Sequence, residues 1–397
     1  HRHRWAFFLV FMVFLSLVGP TREDMSAHLS LSAWIPYWNR AEGEKEAQVL
    51  QDRLQDISYF AAYFNDRKEL VFPERFQKPA ISADGAYLTI VNDVVFPDGT
   101  SRLKDTEQLA SLLATGKSRK KHAVSILDLA EKHGFSGVEI DYETLWKKGR
   151  YPSSGTLPAF SISELETQAA RRHLKVRVIL EPSAPFGAPF PKNIEYVVMA
   201  YNLHGPHNGP GPKADLAFIR RTMKKMDALR GEAALAFSMG GAIWKDGKEG
   251  RFLSEQAAAA LAEQYGKVPQ RDEASAALHF SYEADGHTMT VWYADVTTLE
   301  AWSQAALEAG YPHVFLWSLG GQRQSFTACL PYRGRREGVN REETHLAVPF
   351  LSVRWLFFPK RSRKGTNHHS NNQTGRHLYL WRSAKRPNRS RCTPANG

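Results

Sequence analysis

The sequence predicts an α/β chain in which eight parallel strands alternate with helices and close into a (β/α)8 TIM barrel, with a small α+β insertion between strands seven and eight. Three observations predict it. Strand-like and helix-like patterns alternate through most of the body, which implies βα units and a parallel sheet. Eight such strands in about 290 residues suit a closed barrel better than an open doubly wound sheet. No GxGxxG or GxxxxGK[ST] follows any strand, which removes the main reason to expect a nucleotide-binding fold.

The elements follow in order. Ser32–Trp38 is aromatic and β-prone and reads as the first strand. Ala47, Leu50 and Leu54 repeat at helical spacing through Ala41–Gln55. Ile57–Phe64 and Ala86–Val91 are the second and third strands, and Leu103–Leu113 and His122–His133 are helices. The fourth strand, Phe135–Glu143, is bracketed at its entry by Gly134 and Gly137. Helix Phe160–His173 leads to strand five, Val176–Leu180, which ends at Pro182. Tyr196–Tyr201 is a continuous apolar strand, as expected where both faces are covered. Asp215 caps a helix that runs to Leu229 and stops before Gly231. Ala233–Ser238 and Val314–Ser318 complete the set. The insertion spans Trp244 to about Asp295. It holds an Ala-rich helix capped by Ser254 and closed by Gly266, then a hairpin of Ala277–Glu283 and His287–Tyr293 turning at Asp285-Gly286.

Charge divides the chain. The formal net charge is +11, but from Phe326 to Gly397 there are 15 basic and 3 acidic residues, a net of +12. The remainder carries 37 basic and 38 acidic side chains, a net of −1, so a nucleic-acid partner is not expected for the folded body. Both cysteines, Cys329 and Cys392, lie in that basic tail, so the body offers neither a disulfide framework nor a thiolate metal site. The tail (326–397) contains no Asp and no recognisable period; it reads as disordered, or as a non-native sequence such as one read out of frame. At the other end, His1-Arg-His-Arg4 precedes Trp5–Val18, fourteen residues apolar except for Ser16. Residues 1–24 are therefore read as a secretory signal peptide or an N-terminal membrane anchor, and the protein as secreted or held in the cell envelope.

In the fourth strand Glu139, Asp141 and Glu143 alternate with Val138, Ile140 and Tyr142. The period of two puts the three carboxylates on one face. Like charges stacked on a buried face oppose one another's ionisation, so such a face belongs either to a solvated edge or to a polar pocket that uses acids to move protons. The ends of the other strands favour the pocket, because functional side chains of a parallel barrel sit at the C-terminal ends of its strands. Those ends supply Tyr37, Trp38, Met199, Tyr201, Asn202 and Trp317. Acids, a phenol, an amide and indole faces suit a sugar ring.

These residues also carry a resemblance. The body, roughly Leu31 to Gln324, resembles the family 18 glycoside hydrolases, the chitinase-like barrels whose fourth strand carries DGxDxDxE; here the run is Ser136-Gly-Val-Glu-Ile-Asp-Tyr-Glu143. Met199, Tyr201 and Asn202 match the sixth-strand motif MxY[DN], and Trp317 the eighth-strand tryptophan. The stretches Val291-Trp-Tyr-Ala-Asp295 and His204-Gly-Pro-His-Asn-Gly-Pro-Gly-Pro212 look most like the bacterial branch that acts on spore or cell-wall glycans. The resemblance implies cleavage of an N-acetylhexosamine polysaccharide, chitin-like or peptidoglycan, with no cofactor and no metal. Glu143 would be the general acid and base, Asp141 would orient the acetamido group, and Tyr201 would hydrogen-bond its oxygen. Asn202 would support that contact, Trp317 would floor the −1 subsite, and Glu139, Met199, Tyr37 and Trp38 would complete substrate binding. Ser136 and Glu139 depart from the motif. The inner acid normally shares a proton with the one at 141, and a side chain longer by one methylene could misplace that bond. Two rivals stay open: a catalytically silent glycan-binding barrel, and an envelope scaffold using the basic tail.

Overall fold

The structure, a computed structural model, describes residues 29–73, 85–145 and 156–321. The expected leader or anchor (1–24) and the basic tail (326–397) lie outside the described residues. Within them the elements in chain order are β1 (Ser30–Pro36), a 3-10 turn (Tyr37–Asn39), α1 (Arg40–Val49), β2 (Leu54–Asn65), β3 (Leu70–Val71), β4 (Ala86–Val95), β5 (Ser101–Arg102), α2 (Thr106–Leu113), α3 (Gly116–Lys132), β6 (Gly137–Asp141), α4 (Thr156–Arg171), β7 (Lys175–Leu180), β8 (Glu195–Met199), α5 (Leu216–Met226) and β9 (Glu232–Ser238). A second sheet follows from β10 (Gly240–Lys245), β11 (Glu249–Leu253), β12 (Gln270–Arg271), β13 (Leu278–Ala284) and β14 (His287–Ala294), with α6 (Glu255–Gln264) between β11 and β12. The chain then returns through α7 (Val296–Glu308) to β15 (His313–Trp317).

Eight strands, β1, β2, β4, β6, β7, β8, β9 and β15, pair in that order, all in parallel. The sheet closes where β15 pairs with β1, with Leu31 opposite Val314. The eight-stranded barrel is therefore as the sequence predicts. The alternation of buried faces shows how the sequence builds it. Val138 and Ile140 of β6, Val178 and Leu180 of β7 and Val198 of β8 point outward, into the apolar layer beneath the helices. The helices present matching stripes: Ile219, Thr222, Met223 and Met226 on α5 recur every three to four residues and are buried. Ile219, Met223 and Met226, taken out of water, contribute roughly 1.5–3 kcal/mol each, so one charge placed at Ile219 would break that seam. Side-chain caps start several helices: Asp105 accepts from the amides of Glu107 and Gln108, and Thr115 and Ser118 bond reciprocally at the start of α3.

The inward residues form two levels. Near the floor, register aligns Thr89, Glu139, Arg177 and Glu195 across four successive strands. Arg177, 1 % exposed, bonds Glu139 at 2.7 Å, Glu195 at 2.6 Å and Asp56 at 2.9 Å. The ring centroid of Tyr87 lies 4.0 Å from its guanidinium carbon and that of Phe315 4.5 Å from it. Burial alone would depress the guanidinium's pKa, but the three carboxylates outweigh it and hold Arg177 well above its usual range. Glu195 is pushed down to about 2: burial works against its charge, but hydrogen bonds from His313 and Arg177 prevail. Gly137 belongs to this layer by necessity, since a Cβ there would stand 2.5 Å from the Tyr87 ring. Above it Trp34, Ile179, Val197, Met199, Ala234, Ala236 and Phe315 fill the interior.

The insertion begins earlier than the sequence suggests. Trp244, expected at its start, is the fifth residue of β10, which pairs with β11 and β14 in a five-stranded antiparallel sheet. The glycine pair Gly240-Gly241 resembles a loop in sequence, yet a Cβ on Gly241 would lie 1.7 Å from the Trp292 carbonyl oxygen. Close strand approach, not a turn, demands that glycine. The hairpin turn at Asp285 and Gly286 has positive φ at both residues, as a type I′ turn requires.

Candidate active site

The C-terminal ends of the barrel strands carry the predicted residues, and the structure brings most of them together. β6 ends at Asp141, and the chain leaves it at Glu143, held by Asn92 at the end of β4: Asn92 accepts from the Glu143 amide at 2.9 Å and donates to its carbonyl at 3.1 Å. Two side-chain bonds to one backbone unit fix where the Glu143 side chain emerges. That side chain is one-fifth exposed and pairs with the ammonium of Lys104. Lys104 is itself pinned, its amide donating to Asp93 at 2.8 Å. Burial would depress the Lys104 ammonium, but Glu143, then Asp141 and Glu181, hold it above the ordinary lysine range.

Asp141 is 8 % exposed, and its Oδ1 is buried with no hydrogen-bond partner among the described residues. Desolvation first, then the neighbouring charge of Glu143, raise its pKa well above the usual carboxylate range. Asp93 is raised too, again chiefly by burial. Tyr201, just beyond β8, is 8 % exposed, and burial followed by the fields of Asp141 and Glu143 keeps its hydroxyl protonated. That hydroxyl makes no hydrogen bond to any described residue. A carboxyl oxygen and a phenol thus lie in each other's field with no hydrogen-bond partner among the described residues.

Aromatic rings close the other side. Trp317 lies 5.0 Å from Phe60, 6.0 Å from Trp34 and 6.4 Å from Trp38, measured between ring centroids. Trp38 is 46 % exposed and stands edge-on to Tyr37. Burial, with Tyr63 and Asp93 nearby, raises the Tyr37 phenol. Met199 packs beneath, in the interior cluster with Trp34 and Tyr201. Asn202 is exposed and takes a left-handed backbone (φ 66°), which asparagine tolerates better than most residues.

Glu139, expected at the substrate, lies instead on the barrel floor. It is fully buried, and both oxygens are occupied: Ser58 donates at 2.6 Å and Arg177 at 2.7 Å to Oε1, Trp34 and Thr89 at 2.7 Å each to Oε2. No hydrogen bond joins it to Asp141 among the described residues. Its extra methylene relative to aspartate reaches down to Arg177, so the acid at 139 holds Trp34 rather than sharing a proton with 141. Sequence reasoning missed Asn92, Asp93, Lys104 and the floor network. Lys104 and Glu143 are 39 residues apart, on different loops, and no local pattern links them.

A separate, mainly apolar cavity of ≈ 40 Å³ sits between β6, β7 and their helices, lined by Ile126, Ile140, Leu165 and Val178 among others. It lies on the outward face of the strands, away from the acids. Among the described residues no group of His, Cys, Asp and Glu could hold a metal ion, and no helix is long and apolar enough to cross a membrane.

Residues 99–322, more than half of the chain, match the family model described as glycosyl hydrolases family 18. The chain is 23 % identical over 335 residues to the uncharacterized glycosylase YvbX of Bacillus subtilis (strain 168), covering 78 % of this chain and 88 % of that protein. Its fold is similar to a chitinase from Chromobacterium violaceum (TM-score 0.61, 17 % identity, 76 % of this chain and 97 % of that one). It is also similar to the spore cortex-lytic enzyme SleL of Bacillus cereus (TM-score 0.63, 16 % identity, 78 % and 76 %). Barrel, acidic strand end and family match agree: the chain belongs to the glycosyl hydrolases of family 18 and is a glycosidase.

Proposed function

We propose that the protein cleaves β-1,4-linked N-acetylhexosamine glycans by substrate-assisted, retaining catalysis with Glu143 as general acid and base. One observation carries this reading: among the described residues the buried Oδ1 of Asp141 has no hydrogen-bond partner, and it lies in the field of both Glu143 and the Tyr201 hydroxyl, to which no described residue bonds. An acetamido group supplies what both lack. Its N–H donates to Asp141, and its carbonyl oxygen accepts from Tyr201. The names of the similar structures, a chitinase and a spore cortex-lytic enzyme, support the substrate class.

The residues then act as follows. Glu143 turns from Lys104 and gives its proton to the glycosidic oxygen as that C–O bond breaks. The acetamido oxygen forms the new bond to the anomeric carbon, and the positive charge spreads onto the N–H held by Asp141. Water then attacks the anomeric carbon, its proton passes to Glu143, and the acetamide re-forms. Two displacements at one carbon retain configuration, and no carboxylate nucleophile takes part, which sets this scheme apart from the two-carboxylate one. Trp317 offers an apolar face to the ring.

Replacing Glu143 by Gln keeps the shape and removes the proton. With an aryl N,N′-diacetylchitobioside or peptidoglycan fragments, turnover is expected to fall by about 10³-fold, with the melting temperature preserved. Unchanged turnover would refute the assignment. A glycan-binding protein without turnover is the second reading, favoured by the Lys104 ammonium seated on Glu143. Product released by the wild-type protein would exclude it. Export or envelope attachment, supported by the apolar run Trp5–Val18, suits a polymer outside the cell and is tested by fractionation.

A further inference from the structure

We propose that Lys213 is an anion anchor at the mouth of the cleft, selecting N-acetylhexosamine glycans that carry a carboxylate over neutral ones. This rests on the cleft being the glycan site proposed above, and it names which glycan.

The placement follows from register. Ala234 and Ala236 of β9 point into the barrel interior, so the period of two puts Ser238 at the top of the same face. Ser238 is the register partner of Trp317. The Lys213 ammonium donates to Ser238 Oγ at 2.7 Å and to the Met239 carbonyl at 3.3 Å, so it lies at the C-terminal end of β9, on the strand next to the one that carries Trp317. Its backbone is held as well: the Lys213 carbonyl accepts from the Leu203 amide at 2.8 Å, closing the loop between β8 and α5. The ammonium lies 5.2 Å from the ring centroid of Phe252, a 38 %-exposed side chain of β11 that adds an apolar surface to the same rim.

Among the described residues the ammonium has no anionic partner. Both hydrogen-bond acceptors are neutral, and burial alone lowers its pKa to about 8. The carboxylates of the mouth, Asp93, Asp141, Glu143 and Glu181, come from the β4, β6 and β7 side. The cation comes from the β8 and β9 side. Holding an ammonium in a desolvated place without a counter-charge is costly, and a ligand carboxylate would relieve that cost. A neutral amino sugar has no use for a cation there. An N-acetylhexosamine bearing a lactyl ether does, and repulsion from the acid side would orient its carboxylate towards Lys213.

The experiment compares two tetrasaccharides of alternating β-1,4 N-acetylhexosamines, one with lactyl carboxylates and one with those carboxylates reduced to alcohols. The wild-type enzyme is expected to show a KM about tenfold lower for the carboxylate form. Lys213→Met should abolish that ratio while leaving the reduced substrate unchanged, and Lys213→Arg should keep it. The ratio should also fade as pH rises through about 8 in the wild type, because Ser238, Met239 and Phe252, which face the ammonium, do not titrate there. Equal KM values in the wild type, or a Lys213→Met variant that loses both substrates alike, overturn the proposal. Should Lys213→Met fail to fold, the pH series on the wild type decides. Calorimetric binding of the same pair to Glu143→Gln separates this proposal from the catalytic one. A carboxylate preference in binding without hydrolysis by the wild type sinks only the latter, and equal affinities sink this one.

Discussion

The floor and the mouth of the barrel hold the same kinds of residue and treat them in opposite ways. On the floor, Arg177 is shared among Asp56, Glu139 and Glu195, and both Glu139 oxygens are bonded twice. At the mouth, among the described residues, Asp141 leaves a buried oxygen unbonded, no hydrogen bond reaches the Tyr201 hydroxyl, and the acceptors of Lys213 are neutral. Glu139 and Asp141 are two residues apart on one strand. Inward direction alone therefore does not make a carboxylate functional; its layer does. Where register supplies donors from neighbouring strands the acid becomes structure; Asp141, whose register partner is the apolar Val91, is left for a ligand.

The largest test of this contrast is at the floor. Arg177→Met preserves volume but strands three carboxylates in the barrel interior, and removing one partner of a buried ion pair typically costs about 3–5 kcal/mol. Urea unfolding should show that loss, and pairing the change with Glu139→Gln should recover part of it. A loss below about 1 kcal/mol would mean that the floor is wetter than its burial implies.

At the mouth the sign reverses. Asp141→Asn is expected to lower kcat by roughly a hundredfold, since the amide can no longer stabilise the positive acetamido nitrogen. Stability should rise. The folded state raises the Asp141 pKa, so folding favours the protonated acid, and that contribution is lost as pH climbs above the usual carboxylate value near 3.8. The variant's melting temperature should therefore exceed the wild type's at neutral pH and converge with it below pH 3.8. A variant less stable at neutral pH would place Asp141 with the floor acids.

The contrast also marks how far the sequence could be read. Strand-end acids, the strand-six tyrosine and the strand-eight tryptophan were legible because period and order alone put them at one end of a parallel barrel. Glu139 was legible as inward but not as structural, because its layer depends on pairing with Thr89 and Arg177, 50 and 38 residues away. The first turn of α3 was missed because Lys117 to Lys121 offer no apolar stripe; only the Thr115 and Ser118 caps announce it. Lys213 reaches Ser238 across 25 residues, from a loop whose glycines and prolines carry no period. Polar partnerships made between loops leave no local trace.

Lys104 gives the smallest effect and the finest test, because it stands between the two regimes. It pairs with Glu143 as a floor residue would, but its side chain is 41 % exposed and its partner's 20 %. A pair this open contributes only a few tenths of a kcal/mol, so Lys104→Met should leave the melting temperature nearly unchanged. Its consequence is chemical. The ion pair occupies the carboxylate that must reach the glycosidic oxygen, so Glu143 has to leave the cation before it can transfer a proton. Removing the cation should leave kcat/KM at the optimum within roughly threefold of the wild type. If the rate rises well beyond that, the ion pair holds the acid back in the resting cleft. If the optimum rate collapses instead, Lys104 holds Glu143 in place for proton transfer and belongs with the catalytic machinery rather than with the resting cleft.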